Sequence, residues 1–456
     1  MQIGEEYTVK IEKMLNDGNA LARVNNTAVF VPRACPCDIA KIKITGVNKK
    51  YLKAEITEII EPSPMRVKPF CKLHNICGSC NWQYIDYKEQ LKQKEQIVKE
   101  TINHIAGIDI NVRPMISSTV QKGGRCKIQL PVSQTKVSKR LLSGYYKRNS
   151  HELVNIKYCP MQPDIINEIT EFIKEEAQKL NISAYNEKNN KGLLRHIIYR
   201  ISSDLSAILV IFAVNSNSIT PELKKLSDIL FSKYSKITSI CANFNTEKTN
   251  VIMGKSTVPI NGSSYYIETL HGKKYKISAD SFFQVNPLCA VLIFEKVKEL
   301  ITVRCEKPAI LDAYSGVSSF GIWLSDIASK VVCIEESKSA SSDAKDNAEL
   351  NNCKNIEIIN GDAAKEFQNL LDKGVKFDVS VIDPPRKGTS EAAINALVSL
   401  TKKYIVYVSC NPATLARDMK LLMQKGFNPE YIQPVDMFVH TFHIETIVLF
   451  TSGKSK

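Results

Sequence analysis

The stretch Ala309-Ile-Leu-Asp-Ala-Tyr-Ser-Gly316 decides how the C-terminal part of the chain folds. A short apolar strand ends here in a loop whose glycine lets the backbone approach a ligand closely where a helix begins. Alternating strands and helices predict an α/β fold, a doubly wound sheet with ligands at the C-terminal strand ends. The further apolar strands are expected at 331–334, 356–359, 379–382, 405–408 and 446–450.

Acidic side chains follow successive strands of this predicted sheet. Glu335 ends the second strand, Asp362 follows the third, and Asp383 follows the fourth in the sequence Asp-Pro-Pro-Arg-Lys-Gly388. A carboxylate at the end of the second strand can accept hydrogen bonds from ribose hydroxyls. The chain has no Gly-x-Gly-x-x-Gly and no complete Walker motif, which argues against NAD and against an NTPase. These strand ends therefore predict a site for another ribose-containing cofactor.

A cysteine stands between the fifth strand and the next helix. The strand is predicted to end at Cys410, and the helix to begin just past Pro412, so that the helix dipole favours the thiolate. Glu445 precedes the last strand at the same edge of the sheet. A thiolate that adds to carbon 6 of uracil makes carbon 5 nucleophilic enough to take a methyl group from a sulfonium, and a base then removes the carbon-5 proton. Cys410 and Glu445 suit these two roles, on a base that is splayed out of its stack.

The first sixty residues are predicted to form five or so short strands, which indicates a small OB-type barrel. A linker at 61–64 and a polar helix over 87–105 follow. Strand-like runs, with one helix near 164–180, then continue to about residue 270. No run of 18 apolar residues and no secretory signal is visible, so we expect a cytoplasmic protein that does not span a membrane.

The net charge of +14 favours a polyanionic partner. Residues 111–150 contain no acidic residue, and Tyr145 and Tyr146 lie among their cations, which favours nucleic-acid contact over a merely solvated basic face. The cations are Arg113, Lys122, Arg125, Lys127, Lys136, Lys139, Arg140, Lys147 and Arg148.

Four cysteines form a separate pattern. Cys71, Cys77 and Cys80 lie within ten residues, and Cys159 follows later before a proline. In a cytoplasmic chain such a cluster suggests a metal site more than disulfides. The spacing alone leaves zinc and an iron–sulfur cluster equally open.

Several motifs together resemble the bacterial RNA 5-methyluridine methyltransferases over nearly the whole chain. They are Phe282-Phe-Gln-Val-Asn-Pro287, Asp383-Pro-Pro-Arg-Lys-Gly388, Val408-Ser-Cys-Asn-Pro-Ala-Thr-Leu-Ala-Arg-Asp418 and His443-Ile-Glu-Thr446. The resemblance implies a Rossmann-like methyltransferase domain in which S-adenosylmethionine is bound by Gln284, Tyr314, Glu335 and Asp383. It implies Cys410 as nucleophile and Glu445 as base. It also implies a [4Fe–4S] cluster held by Cys71, Cys77, Cys80 and Cys159.

The resemblance also divides the chain. It implies a TRAM domain, which is OB-like and binds RNA, over 1–60, a central domain with the cluster over 61–270, and the catalytic domain over 271–456. Family members with both a TRAM domain and a cluster mostly act on 23S ribosomal RNA, which is therefore the favoured partner over the T-loop of tRNA; no obligate protein partner is evident. A cytosine-5 methyltransferase would use the same thiolate, but the Ser-Cys-Asn-Pro motif with a distant glutamate fits uridine better.

Some positions depart from the family pattern. Ser318 and Cys37 replace glycines, and the serine is expected to crowd the cofactor. Val439 and Phe442 replace a proline and a histidine, and Gly124-Arg-Cys-Lys127 replaces Tyr-Arg-Asn-Lys. These departures motivate a second hypothesis of a different class, a non-catalytic RNA-binding or assembly protein with a decayed site.

Overall fold

A computed structural model describes residues 1–453, which divide into two compact units. The first unit comprises 1–118, 384–389 and 407–451. The second comprises 119–383, 390–406 and the described residues from 452 onward. Because the chain passes repeatedly from one unit to the other, neither is a continuous segment.

The first unit begins with a six-stranded sheet in the order β1-β5-β6-β4-β3-β2. Its strands are β1 (Glu6–Lys10), β2 (Lys13–Met14), β3 (Ala20–Val24), β4 (Thr27–Val31), β5 (Ile39–Val47) and β6 (Tyr51–Glu61). Neighbouring strands of this sheet pair antiparallel, except that β4 pairs parallel with β6. Alternate side chains such as Val29, Ala40 and Ile42 are completely buried, as the period of two along a strand requires. The predicted strand-rich N-terminal module is confirmed.

Helix α1 (Tyr87–Ala106) follows, close to its predicted bounds. It begins where the Asp86 side chain accepts the Lys88 amide and ends at Gly107, whose left-handed backbone (φ 75°) terminates the helix. Its buried side includes Gln90 and Lys94 beside three aliphatic residues. Over residues 1–453 no helix, α1 included, is long and apolar enough to cross a membrane.

The second unit opens with a seven-stranded sheet in the order β13-β12-β11-β10-β7-β8-β9. The buried side chains of this sheet share one hydrophobic core with those of its two helices, α2 and α3. Helix α2 confirms the helix predicted near 164–180. The elements are β7 (Lys127–Gln134), β8 (Leu141–Tyr146), β9 (Leu153–Asn155), α2 (Asp164–Lys179), β10 (Leu194–Ile201), β11 (Ile208–Val214), α3 (Pro221–Lys233), β12 (Ile237–Phe244) and β13 (Ser256–Gly262).

A hairpin of β14 (Tyr265–Leu270) and β15 (Lys273–Ser278) leads into the α/β part. Within the second unit the strands of the α/β sheet follow the order β18-β17-β16-β19-β20, and β16 runs parallel to both neighbours, β17 and β19. The order reverses beside β16, which is where open α/β sheets bind ligands. The elements are α4 (Pro287–Thr302), β16 (Ala309–Ala313), α5 (Ser319–Leu324), β17 (Lys330–Glu335), α6 (Lys338–Leu350), β18 (Ile356–Asn360), α7 (Ala363–Asp372), β19 (Phe377–Ile382), α8 (Glu391–Leu400) and β20 (Thr401–Ser409).

From Tyr407 the chain belongs to the first unit, where β20 is followed in strand order by β22 and then β21. The remaining elements are α9 (Pro412–Gln424), β21 (Phe427–Val435) and β22 (Glu445–Ser452). Helix α1 packs against α9 and β21. The predicted α/β class and its six strands are confirmed, whereas β21 was not predicted.

Candidate active site

The Glu335 carboxylate is already fixed by backbone groups at the end of β17. Its Oε2 accepts a hydrogen bond from the Gly316 amide over 2.8 Å, and its Oε1 accepts one from the Ser337 amide over 2.7 Å. The Asn360 side chain donates to the Glu335 carbonyl over 2.8 Å, which ties the ends of β17 and β18 together. The carboxylate is partly exposed and keeps lone pairs available for further donors.

The loop after β16 adopts left-handed backbone at three positions. Tyr314, Gly316 and Ser318 have φ angles of 61°, 56° and 63°. A Cβ at Gly316 would meet only the Phe282 carbonyl, at 3.9 Å, so the glycine faces open space that can admit a ligand. The Ser318 side chain is fully buried, and its Oγ lies 3.2 Å from the Cys333 sulfur.

Asp383, directly after β19, contacts Gln284. The Gln284 Nε2 donates to Asp383 Oδ2 over 3.3 Å. Burial raises the pKa of the Asp383 carboxyl to about 7, and the hydrogen bond from Gln284 acts in the opposite direction. These two predicted cofactor residues, separated by 99 positions, therefore lie side by side.

Asp312 lies in the segment 309–316, and the sequence patterns predict no role for it. It is buried at the end of β16, where its Oδ2 accepts the Gly321 amide over 2.8 Å. Over residues 1–453 its Oδ1 has no hydrogen-bond partner. Burial, opposed by the Gly321 amide and reinforced by the charge of Asp383, raises the pKa of Asp312 to about 8.

The segment that carries Gln284 is held by a buried arginine that the sequence patterns did not reveal. The Arg200 guanidinium donates to the carbonyl of Ala279, over 2.9 Å from its Nη2, and to that of Ser281. The Cys126 amide donates to the Val285 carbonyl over 2.9 Å. Arg200 is nearly inaccessible to solvent, and its hydrogen bonds fix the backbone of this segment.

Cys410 lies between β20 and α9, as predicted. The Asn411 side chain caps the helix by accepting the Ala413 amide over 3.0 Å, and the helix begins at Pro412. The cysteine is partly exposed. A thiol at this position receives the stabilisation that a helix N-terminus gives to an anion.

The loop 384–389 is clamped to α9. Asn411 Nδ2 and Thr414 Oγ1 each donate to the Arg386 carbonyl over 3.2 Å. The fully buried Asp418 accepts the Thr389 amide over 2.8 Å and the Tyr407 hydroxyl over 2.7 Å. The backbone of this loop is therefore fixed beside Cys410, while the side chain of Arg386 remains exposed.

Glu445 is the first residue of β22 and is buried. The segment before it, 436–444, forms no helix or strand. In the strand order β22 lies next to β20, so Glu445, at the start of β22, and Cys410, which follows β20, belong to adjacent strands.

Three of the four predicted cluster cysteines lie in the first unit, in a segment of tight turns. The Cys77 amide donates to the Leu73 carbonyl, and the Ser79 amide donates to the Cys77 sulfur over 3.5 Å. Cys159 belongs to the second unit, where its amide donates to Asn167 Oδ1 over 2.8 Å. Over residues 1–453 no three Cys, His, Asp or Glu side chains meet as metal ligands, so the cluster stays a prediction.

The basic segment contributes exposed cations and aromatic faces to the second unit. Lys136, Lys139 and Arg140 are exposed at the turn between β7 and β8. On β8, the Tyr146 ring stacks on His151 with ring centroids 5.4 Å apart. Cations beside accessible rings suit a nucleic-acid strand.

The reversal of strand order beside β16, the open glycine and the carboxylate at the end of β17 are the features of a Rossmann-like site for a ribose-containing cofactor, the class to which S-adenosylmethionine-dependent methyltransferases belong. The family description "tRNA (Uracil-5-)-methyltransferase" matches residues 86–453, and the TRAM domain matches residues 1–57. The chain belongs to the RNA (uracil-5-)-methyltransferase family and is an enzyme of that type.

Relatives cover the chain almost completely. A Clostridium tetani protein described as an uncharacterized RNA methyltransferase is 35% identical, over 98% of this chain and 96% of its own length. One from Caldanaerobacter subterraneus is also 35% identical, over 98% of both chains. The solved Pyrococcus abyssi tRNA (uracil-54, C5)-methyltransferase, in complex with S-adenosyl-L-homocysteine, is 26% identical with a TM-score of 0.75, over 97% of this chain and 100% of its own.

Proposed function

We propose that the enzyme methylates carbon 5 of a uridine in 23S ribosomal RNA, with Cys410 as covalent nucleophile. The observation that carries the proposal is a partly exposed cysteine at the N-terminus of a capped helix, in a chain of the uracil-5 family. Membership of a family of methyltransferases argues against the hypothesis of a non-catalytic protein with a decayed site.

The proposed reaction has two halves. The Cys410 thiolate adds to carbon 6 of the uracil, and the resulting enolate makes carbon 5 nucleophilic. When bound, S-adenosylmethionine supplies the methyl group on a sulfonium and departs as S-adenosylhomocysteine. Glu445 then takes the proton from carbon 5, and the carbon–sulfur bond breaks to release 5-methyluridine and the cysteine.

We assign the cofactor site to Gln284, Tyr314, Glu335 and Asp383. The Glu335 carboxylate suits the ribose diol, because its oxygens keep lone pairs that can accept hydrogen bonds from both hydroxyls. The contact between Gln284 and Asp383 supports a shared surface for the cofactor. Open space at Gly316 is compatible with close approach of the ligand.

The RNA substrate is supported by the family and by the TRAM match, and the choice of 23S ribosomal RNA is our proposal. It rests on the joint presence of the TRAM domain and the four cysteines, and it places the enzyme in the cytoplasm. Uridine in the T-loop of tRNA is the second candidate, favoured by the whole-chain likeness to a tRNA (uracil-54, C5)-methyltransferase.

We further propose that Cys71, Cys77, Cys80 and Cys159 hold a [4Fe–4S] cluster within a central domain over 61–270, between the N-terminal domain and the catalytic domain over 271–456. The amide donated to the Cys77 sulfur supports this, since such donors favour a thiolate ligand. The role would be structural, because the proposed chemistry transfers no electrons. Iron and sulfide in anaerobically purified protein would support the cluster, whereas zinc without iron would overturn it.

The test of the main proposal uses unmodified ribosomal and transfer RNAs with S-adenosylmethionine, followed by quantification of 5-methyluridine in each. Product in 23S RNA is expected, and Cys410→Ala should abolish it. Cys305→Ala is the matched control, because Cys305 is also partly buried but lies outside the site. Product confined to tRNA would overturn the substrate choice, and undiminished product from Cys410→Ala would overturn the covalent mechanism.

A further inference from the structure

One face of α1 contacts the segment that leads into Glu445. Tyr87, Gln90 and Lys94 are spaced by three and four residues, so they share one side of the helix. All three side chains contact residues between 436 and 440. A face this polar is unusual for the buried side of a helix. Each of the three side chains has a hydrogen-bond partner on that segment, whereas Gln90 Oε1 has no partner within residues 1–453.

Lys94 and Asp436 form an ion pair that is completely shielded from solvent. The lysine Nζ lies 2.5 Å from Asp436 Oδ1, and both side chains have no solvent exposure. The same ammonium donates to the Phe438 carbonyl over 3.2 Å, and the Tyr87 hydroxyl donates to Asp436 Oδ2 over 2.8 Å. Loss of either partner of such a buried pair would leave an uncompensated charge, which is costly.

His440 is held in an unfavourable conformation by the residues that precede α1. Its backbone is left-handed (φ 61°), which L-residues with large side chains rarely adopt. The amides of Asn81 and Trp82 both donate to its carbonyl over 3.0 Å. Gln90 Nε2 lies 3.1 Å from its Nδ1. Such strain persists only where the surroundings fix the residue strongly.

A loop of the N-terminal sheet holds the same segment from another side. A Cβ at Gly18 would lie only 2.5 Å from the Phe442 ring, so the loop and the ring are in close contact. The Trp82 indole donates to the Gly18 carbonyl over 3.3 Å. His440 and Phe442, two of the five residues before Glu445, thus have fixed neighbours.

We infer that Tyr87, Gln90 and Lys94 are positioning residues that set the Glu445 carboxylate for removal of the carbon-5 proton. The inference rests on the proposed function. Helix α1 also packs against α9, the helix that begins two residues after Cys410. The side chains of Tyr87, Gln90 and Lys94, however, contact the segment that leads into Glu445. Loss of these contacts should therefore affect proton removal and release of the cysteine selectively.

This selectivity has a measurable consequence. If the carboxylate is displaced, addition of the thiolate and methyl transfer continue, but elimination of the cysteine is delayed. A methylated RNA then accumulates on Cys410 as an adduct that survives denaturing electrophoresis. A purely structural defect would instead lower every step together.

The experiment compares Lys94→Met and Tyr87→Phe with the unaltered full-length enzyme in single-turnover reactions, using the RNA that the enzyme methylates. Methyl transfer and release of free RNA are followed separately. We expect release to slow by about ten- to hundredfold in Lys94→Met, because an ångström-scale displacement of a reacting group costs that much. Tyr87→Phe, which removes one hydrogen bond, should slow release less, and both should accumulate adduct.

Arg66→Met is the matched control. It breaks an ion pair in the same unit, with Asp38, whose side chain is also completely buried. This control should lower thermal stability without accumulating adduct. Equal slowing of transfer and release, or unchanged release in both α1 variants, would overturn the inference; if Lys94→Met does not fold, Tyr87→Phe decides by the same criterion.

The failure of the underlying chemistry would look different. In 5-fluorouridine RNA, fluorine replaces the carbon-5 hydrogen. Because a base cannot remove fluorine as it removes a proton, the cysteine cannot be eliminated, and the unaltered enzyme should stay covalently bound to this RNA. If it forms no such adduct, the covalent mechanism fails and the inference falls with it. If it forms the adduct normally while the α1 variants release natural RNA at the normal rate, only the inference fails.

Discussion

The Gly316 amide donates a hydrogen bond to Glu335 Oε2 over 2.8 Å, and this contact fastens the glycine loop after β16 to the end of β17. The loop and the carboxylate that we assign to the cofactor are therefore set before any ligand arrives. Preset groups lose little conformational freedom on binding, which favours affinity.

Glu335→Gln should weaken cofactor binding while leaving the loop in place. The amide oxygen can still accept the Gly316 amide, although the NH2 group cannot accept the Ser337 amide, and the charge that strengthens hydrogen bonds to ribose is lost. Since hydrogen bonds to charged groups contribute about 1.5 to 3 kcal/mol, the Kd for S-adenosylhomocysteine should rise about tenfold or more. Calorimetric titration measures this. Glu336→Gln, at the exposed neighbouring position, should bind normally; equal affinity of both variants would remove Glu335 from the site.

Asp312 should make the stability of the enzyme depend on pH. Its pKa is about 8 in the folded enzyme. Because an unfolded aspartate titrates near pH 4, the folded state binds this proton more tightly, and the resulting stability is lost as pH rises towards 8, by at most about 1.4 kcal/mol per pH unit.

Asp312→Asn removes that titration. Between about pH 6 and pH 8 the Tm of the unaltered enzyme should therefore fall more steeply than that of the variant. Asp372→Asn, on the exposed end of α7, should keep the steeper dependence. Parallel Tm curves for Asp312→Asn and the unaltered enzyme would contradict a raised pKa.

Gly18→Ala should destabilise the enzyme more than Gly4→Ala. Both glycines have left-handed backbone, with φ angles of 82° and 97°, so both substitutions cost about 1 to 2 kcal/mol of backbone strain. Only at Gly18 does the new Cβ also collide with Phe442, whereas nothing lies within 4 Å of one at Gly4. Denaturant unfolding gives the two free energies. Combining Gly18→Ala with Phe442→Leu should recover part of the loss, and equal losses at the two glycines would show that the collision is relieved at no cost.

Cys37→Gly should stabilise the enzyme by up to about 1 kcal/mol, because glycine removes the strain that an L-residue has in left-handed backbone. The greater entropy of a glycine in the unfolded chain offsets part of this gain. Cys37 is exposed and has a φ angle of 70°. Thermal unfolding would check this. Cys35→Gly, at a completely buried neighbour, should lower the Tm instead; a lower Tm for Cys37→Gly would mean that its side chain makes a favourable contact.

The sequence patterns predicted those elements whose signal is local. The runs that became β16, β17, β18, β19 and β20 are short, apolar and separated by helices, so their positions and the acidic residues that follow them could be predicted. Ser318 and Cys37 also stood out as departures, and both prove to have left-handed backbone, which explains why glycine suits these positions.

Other features leave no local signal. Strand β21 contains Pro429 and Pro434, and two prolines argue against a strand. Arg200 reads as an ordinary polar position of a strand, although it is buried and fixes the backbone of the segment that carries Gln284. The charges of Lys94 and Asp436 are common in helices and turns, and only the tertiary structure reveals that they are paired.

Lys94 and Asp436 are 342 positions apart in the chain. At the usual rate of about 5 to 20 residues per second, the lysine is added to the chain roughly 20 to 70 s before the aspartate. Throughout that time the ammonium stays hydrated, since burying it alone would be costly. The first unit can therefore close around this pair only after residue 436 has been made, and nascent chains arrested before that residue should leave helix α1 open to proteases.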